Sequence, residues 1–287
     1  MSENPEFTHH RVTLSAVTLH YVTCGRGRPL LLLHGWPQSW FEWRKVMSLL
    51  ADRYCLIAPD LRGLGDSSRP TSGYDVFTVA GDLWELMHAH LGHQRFHLAG
   101  HDWGGPVAFA LALAQSQAIR QLAILDVAIP GDGNPNISQG GRRWHHAFHQ
   151  TADLPEALIA GREDLYLGWF YRNYGARPDA VDDEAIAEYL RTYRDPDAFR
   201  AGLAYYRNLP ADIAAIEAAV ARGKLAVPVL ALGGGAGWGR GEETLTSCRR
   251  VATQVEGGVI ADAGHWLPEE QPAAIADAFA RFFTDDD

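Results

Sequence analysis

A glycine-flanked aspartate is the feature of this sequence best suited to chemistry. Asp102 lies in Gly100-His101-Asp102-Trp103-Gly104, between an apolar run that predicts a strand at 94–98 and another that predicts a helix at 106–114. A sharp strand–turn–helix connection pushes its central side chain out at the end of the sheet. Glycine is needed two residues before and after, because the two backbones crowd there. The alternative is a structural turn in which Asp102 caps the helix. Whether Asp102 has a catalytic role therefore depends on residues elsewhere in the chain that could act with it.

Two further side chains could work with this aspartate. His265 follows the last predicted strand and precedes the last predicted helix, which is where a base that activates water would be expected. An acid that orients the histidine could be Asp126, at the end of the strand predicted over 119–125. Glu242 and Glu243 remain open as alternatives, because they follow the next strand after a glycine-rich loop. The order nucleophile, acid, base favours a catalytic role for His265, and the position of Asp126 at the end of a strand favours it as the acid.

A carboxylate nucleophile indicates a particular reaction. A serine that attacked a saturated carbon would form an ether, whereas an aspartate forms an ester that histidine-activated water can hydrolyse. Two backbone N–H groups should hold the carbonyl oxygen of that ester: one from Trp103, directly after Asp102, and one from Trp36 in His34-Gly35-Trp36-Pro37. The set therefore predicts substitution at a saturated carbon followed by ester hydrolysis, with epoxides or alkyl halides as substrates.

The elements that must position these residues alternate along the chain. Apolar runs predict six strands, at 11–14, 17–22, 29–33, 54–58, 94–98 and 119–125. From about 140 to 223 the pattern is helical and rich in aromatic residues, and strands return at 227–232 and 259–261 before a last helix at about 269–283. We predict an α/β fold with a mostly parallel sheet flanked by helices and a helical cap inserted after the sixth strand. The core would comprise residues 1–128 and 225–287, and the cap residues 129–224.

Composition limits the possible partners and location. The chain has 287 residues, 47% of them hydrophobic and 21% charged, and a formal charge of −10. This charge argues against nucleic acid and anionic membrane surfaces as partners. No apolar run approaches the roughly eighteen residues needed to span a bilayer. The N-terminal residues do not form an export signal, and the three cysteines, Cys24, Cys55 and Cys248, are scattered. We therefore expect a cytoplasmic protein.

Three motifs look like those of the epoxide hydrolase branch of the α/β-hydrolase superfamily: His34-Gly35-Trp36-Pro37, Gly100-His101-Asp102-Trp103-Gly104-Gly105 and Gly264-His265-Trp266-Leu267-Pro268-Glu269-Glu270. The resemblance extends over nearly the whole chain. It implies the α/β-hydrolase fold and the conversion of an epoxide to a vicinal diol through an ester on Asp102.

Other segments resemble one bacterial subgroup of that branch: Ala128-Ile129-Pro130, Trp144-His145, Leu158-Ile159-Ala160-Gly161, Tyr205-Tyr206-Arg207 and Gly233-Gly234-Gly235-Ala236-Gly237. The subgroup is typified by a secreted enzyme that inhibits a host chloride channel and opens the epoxide ring with a histidine–tyrosine pair from its cap. Carried over by position, this pair is His145 and Tyr206, and the resemblance makes a homodimer an expectation. This sequence differs in having aspartate where that enzyme has a glutamate acid, and in lacking an export signal.

Rival functions explain fewer of these residues. In a haloalkane dehalogenase Trp36 and Trp103 would hold the departing halide, but His145 and Tyr206 would have no role, whereas the basic alkoxide of an opened epoxide needs a donor. A fluoroacetate dehalogenase needs arginines shortly after the nucleophile, where this chain has Trp103 and Pro106. A catalytically silent ligand-binding protein would not need the set Asp102, Asp126 and His265.

The expected substrate is an apolar epoxide, with water as the second reactant. We expect it to contact Trp36, Trp103, Phe148 and Trp266. His145 and His149 share a helical face that could bind a metal, but no H-E-x-x-H pattern accompanies them. We therefore expect neither a metal nor a cofactor.

Overall fold

An eight-stranded sheet forms the centre of the computed structural model, which describes residues 6–284. The strand order is β1-β2-β4-β3-β5-β6-β7-β8, in which β1 and β2 are antiparallel to their neighbours and the strands from β4 to β8 run parallel. The strands are β1 (Thr8–Thr13), β2 (Thr18–Cys24), β3 (Arg28–Leu33), β4 (Tyr54–Pro59), β5 (Phe96–His101), β6 (Ile119–Leu125), β7 (Val229–Gly234) and β8 (Val255–Ile260). The predicted α/β class with a mostly parallel sheet is confirmed.

Both faces of the sheet are covered, which explains the continuous apolar runs of the central strands. In β3, Leu31 and Leu33 pack into the hydrophobic cluster on one face, while Leu30 and Leu32 pack into the cluster on the other. The helices of the core are α1 (Arg44–Leu50), α2 (Val76–Trp84), α3 (Gly104–Ala114), α9 (Glu243–Val251), α10 (Leu267–Glu270) and α11 (Pro272–Phe282). Helices α2, α3 and α9 contribute to the first cluster and α1 and α11 to the second.

Five helices lie between β6 and β7, as the predicted insertion requires: α4 (His145–Gln150), α5 (Leu154–Ile159), α6 (Glu163–Asn173), α7 (Asp183–Tyr193) and α8 (Pro196–Arg222). We call this chain segment the helical insertion. The longest of its helices, α8, begins where the Asp195 side chain accepts a hydrogen bond from the N–H of Asp197, with Pro196 in the first turn. The predicted limits of the cap, at 129 and 224, stay a prediction.

Several predicted elements have different bounds in the structure. Strand β8 begins at Val255, four residues earlier than predicted, because Gly257 and Gly258 hid its strand pattern. A side chain at Gly257 would meet the carbonyl oxygen of Ala231 at 1.9 Å, so glycine is required there. Strand β1 begins at Thr8, three residues earlier than predicted. The single predicted last helix is two helices, because Gln271 precedes Pro272 and has non-helical angles, φ −134° and ψ 54°.

No helix within residues 6–284 combines the length and the apolar character that crossing a bilayer requires.

Candidate active site

Asp102 lies at the tip of a sharp turn between β5 and α3. Its φ of 46° is in the left-handed region, which a non-glycine residue rarely adopts. A Cβ at Gly100 would meet the carbonyl oxygen of Gly104 at 2.1 Å, and a Cβ at Gly104 would meet that of Leu33 at 2.3 Å. The predicted strand–turn–helix geometry and its need for two glycines are therefore present in the fold.

Two backbone N–H groups hold the Asp102 carboxylate. The N–H of Trp36 donates to Asp102 Oδ1 at 2.9 Å, and the N–H of Trp103 also bonds this carboxylate. Burial alone would raise the pKa of Asp102. The hydrogen bond and charge of His265, the nearby His101 and the Trp103 N–H together lower it far below its usual range. Asp102 is consequently an ionised carboxylate. The backbone N–H group that donates to its Oδ1 is also placed to stabilise a negative charge that develops on that oxygen.

The base and acid predicted from sequence meet beside Asp102. His265 Nε2 lies 3.4 Å from Asp102 Oδ2, and His265 Nδ1 lies 2.6 Å from Asp126 Oδ2. The other oxygen of Asp126 accepts hydrogen bonds from the N–H groups of Gly234, at 2.8 Å, and Arg240, at 2.7 Å. Burial would raise the pKa of Asp126, but the hydrogen bond and charge of His265 and the charge of Arg143 lower it.

The two alternative acids lie elsewhere. Glu243 pairs with Arg240 at 3.0 Å and also accepts from the amide of Gln139. Glu242 is exposed and directly precedes α9. Of the three carboxylates considered, the structure brings only Asp126 to His265.

The helical insertion places aromatic and histidine side chains opposite Asp102. Tyr206, on α8, is buried with its ring perpendicular to that of Trp103, at a centroid distance of 5.1 Å, and it forms a side-chain hydrogen bond with Trp103. His145, at the start of α4, lies 5.6 Å from the Tyr206 ring. Burial and the Asp102 charge raise the pKa of Tyr206 well above its usual value, so its hydroxyl stays protonated at neutral pH.

Two small cavities adjoin Asp102. Both are also lined by His146 and Arg240. The first is otherwise mainly apolar and includes Trp103, Val127, Ile137 and Leu209 in its lining. The second contains most of the predicted site residues, namely Trp36, His145, Tyr206, His265 and Trp266. Phe148 is not brought to either cavity and packs beside Trp144 and Tyr166.

Four polar or charged lining residues were missed by the sequence analysis: Arg143, His146, Tyr174 and Arg240. Arg240 could have been identified from the sequence, since it lies in the glycine-rich loop that follows β7, at the sheet edge where Asp102 and Asp126 lie. Arg143, His146 and Tyr174 are in the helical insertion, where the sequence does not show which side of each helix faces the core.

His101, which directly precedes Asp102, forms a buried ion pair with Glu42. His101 Nδ1 is 3.2 Å from Glu42 Oε2, and His101 Nε2 is 2.8 Å from the backbone carbonyl of His265. Burial alone would lower the pKa of His101, but Glu42 raises it to about 9, while burial raises that of Glu42 to about 7. A charged His101 donates from both nitrogens and thus fixes the backbone of His265.

Known proteins share this architecture. The model of the alpha/beta hydrolase fold family matches residues 28–272. A soluble epoxide hydrolase from Corynebacterium sp. (strain C12) is 42% identical, covering 97% of this chain and 98% of its own. A fluoroacetate dehalogenase from Burkholderia sp is 36% identical, covering 70% of this chain and 69% of its own. The solved structure of the epoxide hydrolase CorEH is 40% identical, with a TM-score of 0.89, and the match covers 97% of this chain and 99% of CorEH. The chain therefore belongs to the α/β-hydrolase family, in its epoxide hydrolase branch.

Proposed function

We propose that this chain hydrolyses an epoxide to a vicinal diol through a covalent ester on Asp102. One observation supports the proposal: the ionised carboxylate of Asp102 lies between two groups of hydrogen-bonding residues. Backbone N–H groups and His265 lie on its core side, and hydrogen-bond donors of the helical insertion lie across the cavity. The resemblance of the whole chain to a soluble epoxide hydrolase supports this choice of substrate.

In the first step, Asp102 Oδ2 attacks an epoxide carbon. The carbon–oxygen bond of the ring breaks, and the oxygen leaves as an alkoxide, which is too basic to depart without help. Tyr206 and His145 donate hydrogen bonds to it, and the alkoxide takes the Tyr206 proton. The hydrogen bond from Trp103 stabilises the Tyr206 phenolate, and the loss of the Asp102 charge on esterification removes a repulsion. The product of this step is a hydroxyalkyl ester on Asp102.

In the second step, His265 takes a proton from water, and the resulting hydroxide attacks the Asp102 carbonyl carbon. The N–H groups of Trp36 and Trp103 stabilise the negative charge that develops on Oδ1. Asp126 holds His265 in the tautomer whose Nε2 can accept the proton, and it stabilises the imidazolium that forms. The ester bond then breaks, the diol takes the proton from His265, and the proton released in restoring the Asp102 carboxylate returns to Tyr206.

Dehalogenation is the competing function, and the indole N–H groups argue against it. A departing halide would need these groups free, yet that of Trp103 bonds Tyr206. The indole N–H of Trp36 has no hydrogen-bond partner within residues 6–284, but it is buried against Gly202, where a Cβ would lie 2.8 Å from its nitrogen. Arg143 and Arg240 do line a cavity, but Arg240 pairs with Glu243, and Arg143 balances the charge of Asp126. Among the described residues that line this cavity, no pair of unbalanced arginines is thus left for the carboxylate of fluoroacetate.

A turnover screen tests this choice of reaction. Styrene oxide, epichlorohydrin and a long-chain epoxide should yield diol, while matched bromoalkanes and fluoroacetate should release little halide. Diol is measured by chromatography and halide by ion-selective electrode. Halide release faster than diol formation would make the chain a dehalogenase. If no substrate turned over and a ligand bound tightly, the chain would be a silent binding protein.

We further propose that the substrate carries an apolar group, which fits the mainly apolar lining of the first cavity. We also propose that residues 129–224 form a cap domain over the site. A cytoplasmic location is supported by three free cysteines, two of them buried.

A homodimer is proposed because two consecutive helices of the insertion expose large apolar side chains. Leu154 and Leu158 on α5 are 50% and 51% exposed, and Leu165 on α6 is 73% exposed. Light scattering coupled to size exclusion should give twice the chain mass for the wild type, and the mass of one chain for Leu165→Glu. A monomeric wild type would contradict the proposal.

A further inference from the structure

Tyr174 contacts His145 at the edge of the second cavity. Its hydroxyl lies 3.0 Å from His145 Nδ1, and both side chains are buried. Tyr174 directly follows α6, and its backbone carbonyl accepts a hydrogen bond from the N–H of His265 at 2.9 Å. One residue of the helical insertion therefore contacts both a proposed ring-opening donor and the backbone of the proposed base.

His145 is a neutral imidazole. Burial lowers its pKa well below the usual value, and the neighbouring His146, His149 and Arg143 lower it further. A neutral imidazole carries one N–H hydrogen, so it can donate from only one of its two nitrogens. His145 can therefore donate to an epoxide oxygen only if its hydrogen is on the nitrogen that faces the substrate.

The hydroxyl of Tyr174 determines which nitrogen of His145 carries the hydrogen. Burial raises the pKa of Tyr174, so the hydroxyl keeps its hydrogen. Within residues 6–284, His145 Nδ1 is the one side-chain acceptor found within hydrogen-bond distance of that hydroxyl. When Tyr174 donates to Nδ1, the hydrogen of the imidazole must be on Nε2. If Nδ1 instead carried the hydrogen, Nε2 would be an acceptor and would oppose the developing alkoxide.

We propose that Tyr174 is a positioning residue, which fixes His145 with its hydrogen on Nε2 and so makes it a donor for ring opening. The inference rests on the proposed function in one respect, the role of His145 as a ring-opening donor. The Tyr174 ring also has a packing role, since it stacks on Trp238 at 4.7 Å with an interplanar angle of 15°. Tyr174→Phe keeps that ring and removes the hydroxyl alone.

The first test is a double-mutant cycle on the rate of ester formation, measured in a single turnover. Tyr174→Phe should slow ester formation by about 2- to 12-fold, the range set by one lost hydrogen bond. In a His145→Ala background the same substitution should cause no further loss, because Tyr174 acts through His145. The rate of ester hydrolysis should not change. An equal loss in both backgrounds, or a loss in hydrolysis alone, would overturn the proposal.

Tyr166→Phe is the matched control. It removes a hydroxyl from the neighbouring histidine–tyrosine pair, in which Tyr166 lies 2.6 Å from His149 Nε2. Ester formation should stay at the wild-type rate, and the two single variants should unfold at similar temperatures. A loss equal to that of Tyr174→Phe would show that any missing hydroxyl in the insertion slows the step, and the proposal would fail.

The second test needs no turnover. In protein labelled with ¹⁵N-histidine, two-bond proton–nitrogen spectra distinguish the two neutral tautomers, and His145→Ala identifies the signals of His145. The wild type should show the Nε2–H tautomer, and Tyr174→Phe a mixture. An Nδ1–H tautomer in the wild type would overturn the inference even if epoxide hydrolysis were established. The expected tautomer in a protein that turns over no epoxide would leave the positioning intact and refute the proposed function.

Discussion

Replacing Asp126 with asparagine should stop the second half of the reaction while leaving the first half intact. Asp126 Oδ1 accepts hydrogen bonds from two backbone N–H groups, of Gly234 and Arg240, and these donors would hold the oxygen of an asparagine amide in the same place. The amide NH₂ would then face His265 Nδ1, where Oδ2 lies at 2.6 Å in the native chain. Because an NH₂ group donates, His265 would have to carry its hydrogen on Nε2, and it could not accept a proton from water.

The expected loss is large and confined to one step. A wrong tautomer in a hydrolytic triad lowers the rate by about 10³- to 10⁴-fold, equivalent to about 4 to 5.5 kcal/mol in the barrier to hydrolysis. Ester formation needs Asp102 and its ring-opening donors, so it should change by less than about tenfold. Rapid quenching followed by intact-protein mass spectrometry should show the variant heavier by one substrate molecule, with the added mass on the peptide that contains Asp102.

Glu242→Gln is the control for this experiment, because Glu242 was an alternative acid and is exposed in the structure. It should turn over at the wild-type rate. If Asp126→Asn hydrolysed the ester within about tenfold of the wild-type rate, the loss expected from a wrong tautomer would be missing and Asp126 would not be the acid. If Glu242→Gln accumulated the ester instead, the acid would have been assigned to the wrong residue.

Three further predictions follow from the same geometry. Tyr206→Phe and His145→Ala should each slow ester formation by about 10²- to 10⁴-fold in stopped-flow measurements. If either variant keeps the wild-type rate, the residue that it replaces is not a ring-opening donor. His265→Gln should form the ester without hydrolysing it, so that an unmodified variant under saturating epoxide would count against His265 as the base that activates water. Ester formation should not decline with acid between about pH 6 and pH 4, where an aspartate of ordinary pKa, about 3.9, would lose close to half its charge. The reason is that the pKa of Asp102 is lowered; a decline centred near pH 4 would show that it is not.

The core of the site could be predicted from the sequence because parallel strands end at the same edge of a sheet. Asp102 and Asp126 follow β5 and β6, which are neighbours, and His265 lies after β8. Once the strand–loop–helix alternation was recognised, these residues had to lie near one another. The glycines of the turn at Asp102 and the order of the three residues along the chain were sufficient for that step.

The residues that the helical insertion contributes to the site could not be predicted in the same way. His145 and Tyr206 were assigned by resemblance alone, and twelve aromatic residues between 144 and 206 gave no indication of which ones face the cavity. Tyr174 depends on how the end of α6 packs against the loop that contains His265, a contact between residues 91 positions apart. Phe148 was expected at the substrate, yet the turn of α4 that brings His145 to the cavity places Phe148 beside Trp144 and Tyr166.

The origin of the oxygen in the diol tests the central claim, the covalent ester on Asp102, most directly. A single turnover of an epoxide is run in ¹⁸O-water with the enzyme in excess. If Asp102 Oδ2 forms the bond to carbon and water attacks the ester carbonyl, the diol should be mostly unlabelled, and the peptide that contains Asp102 should have gained ¹⁸O. If water attacked the epoxide directly, with Asp102 only as a base, the diol would be fully labelled and Asp102 would not, and the mechanism argued from this geometry would be wrong.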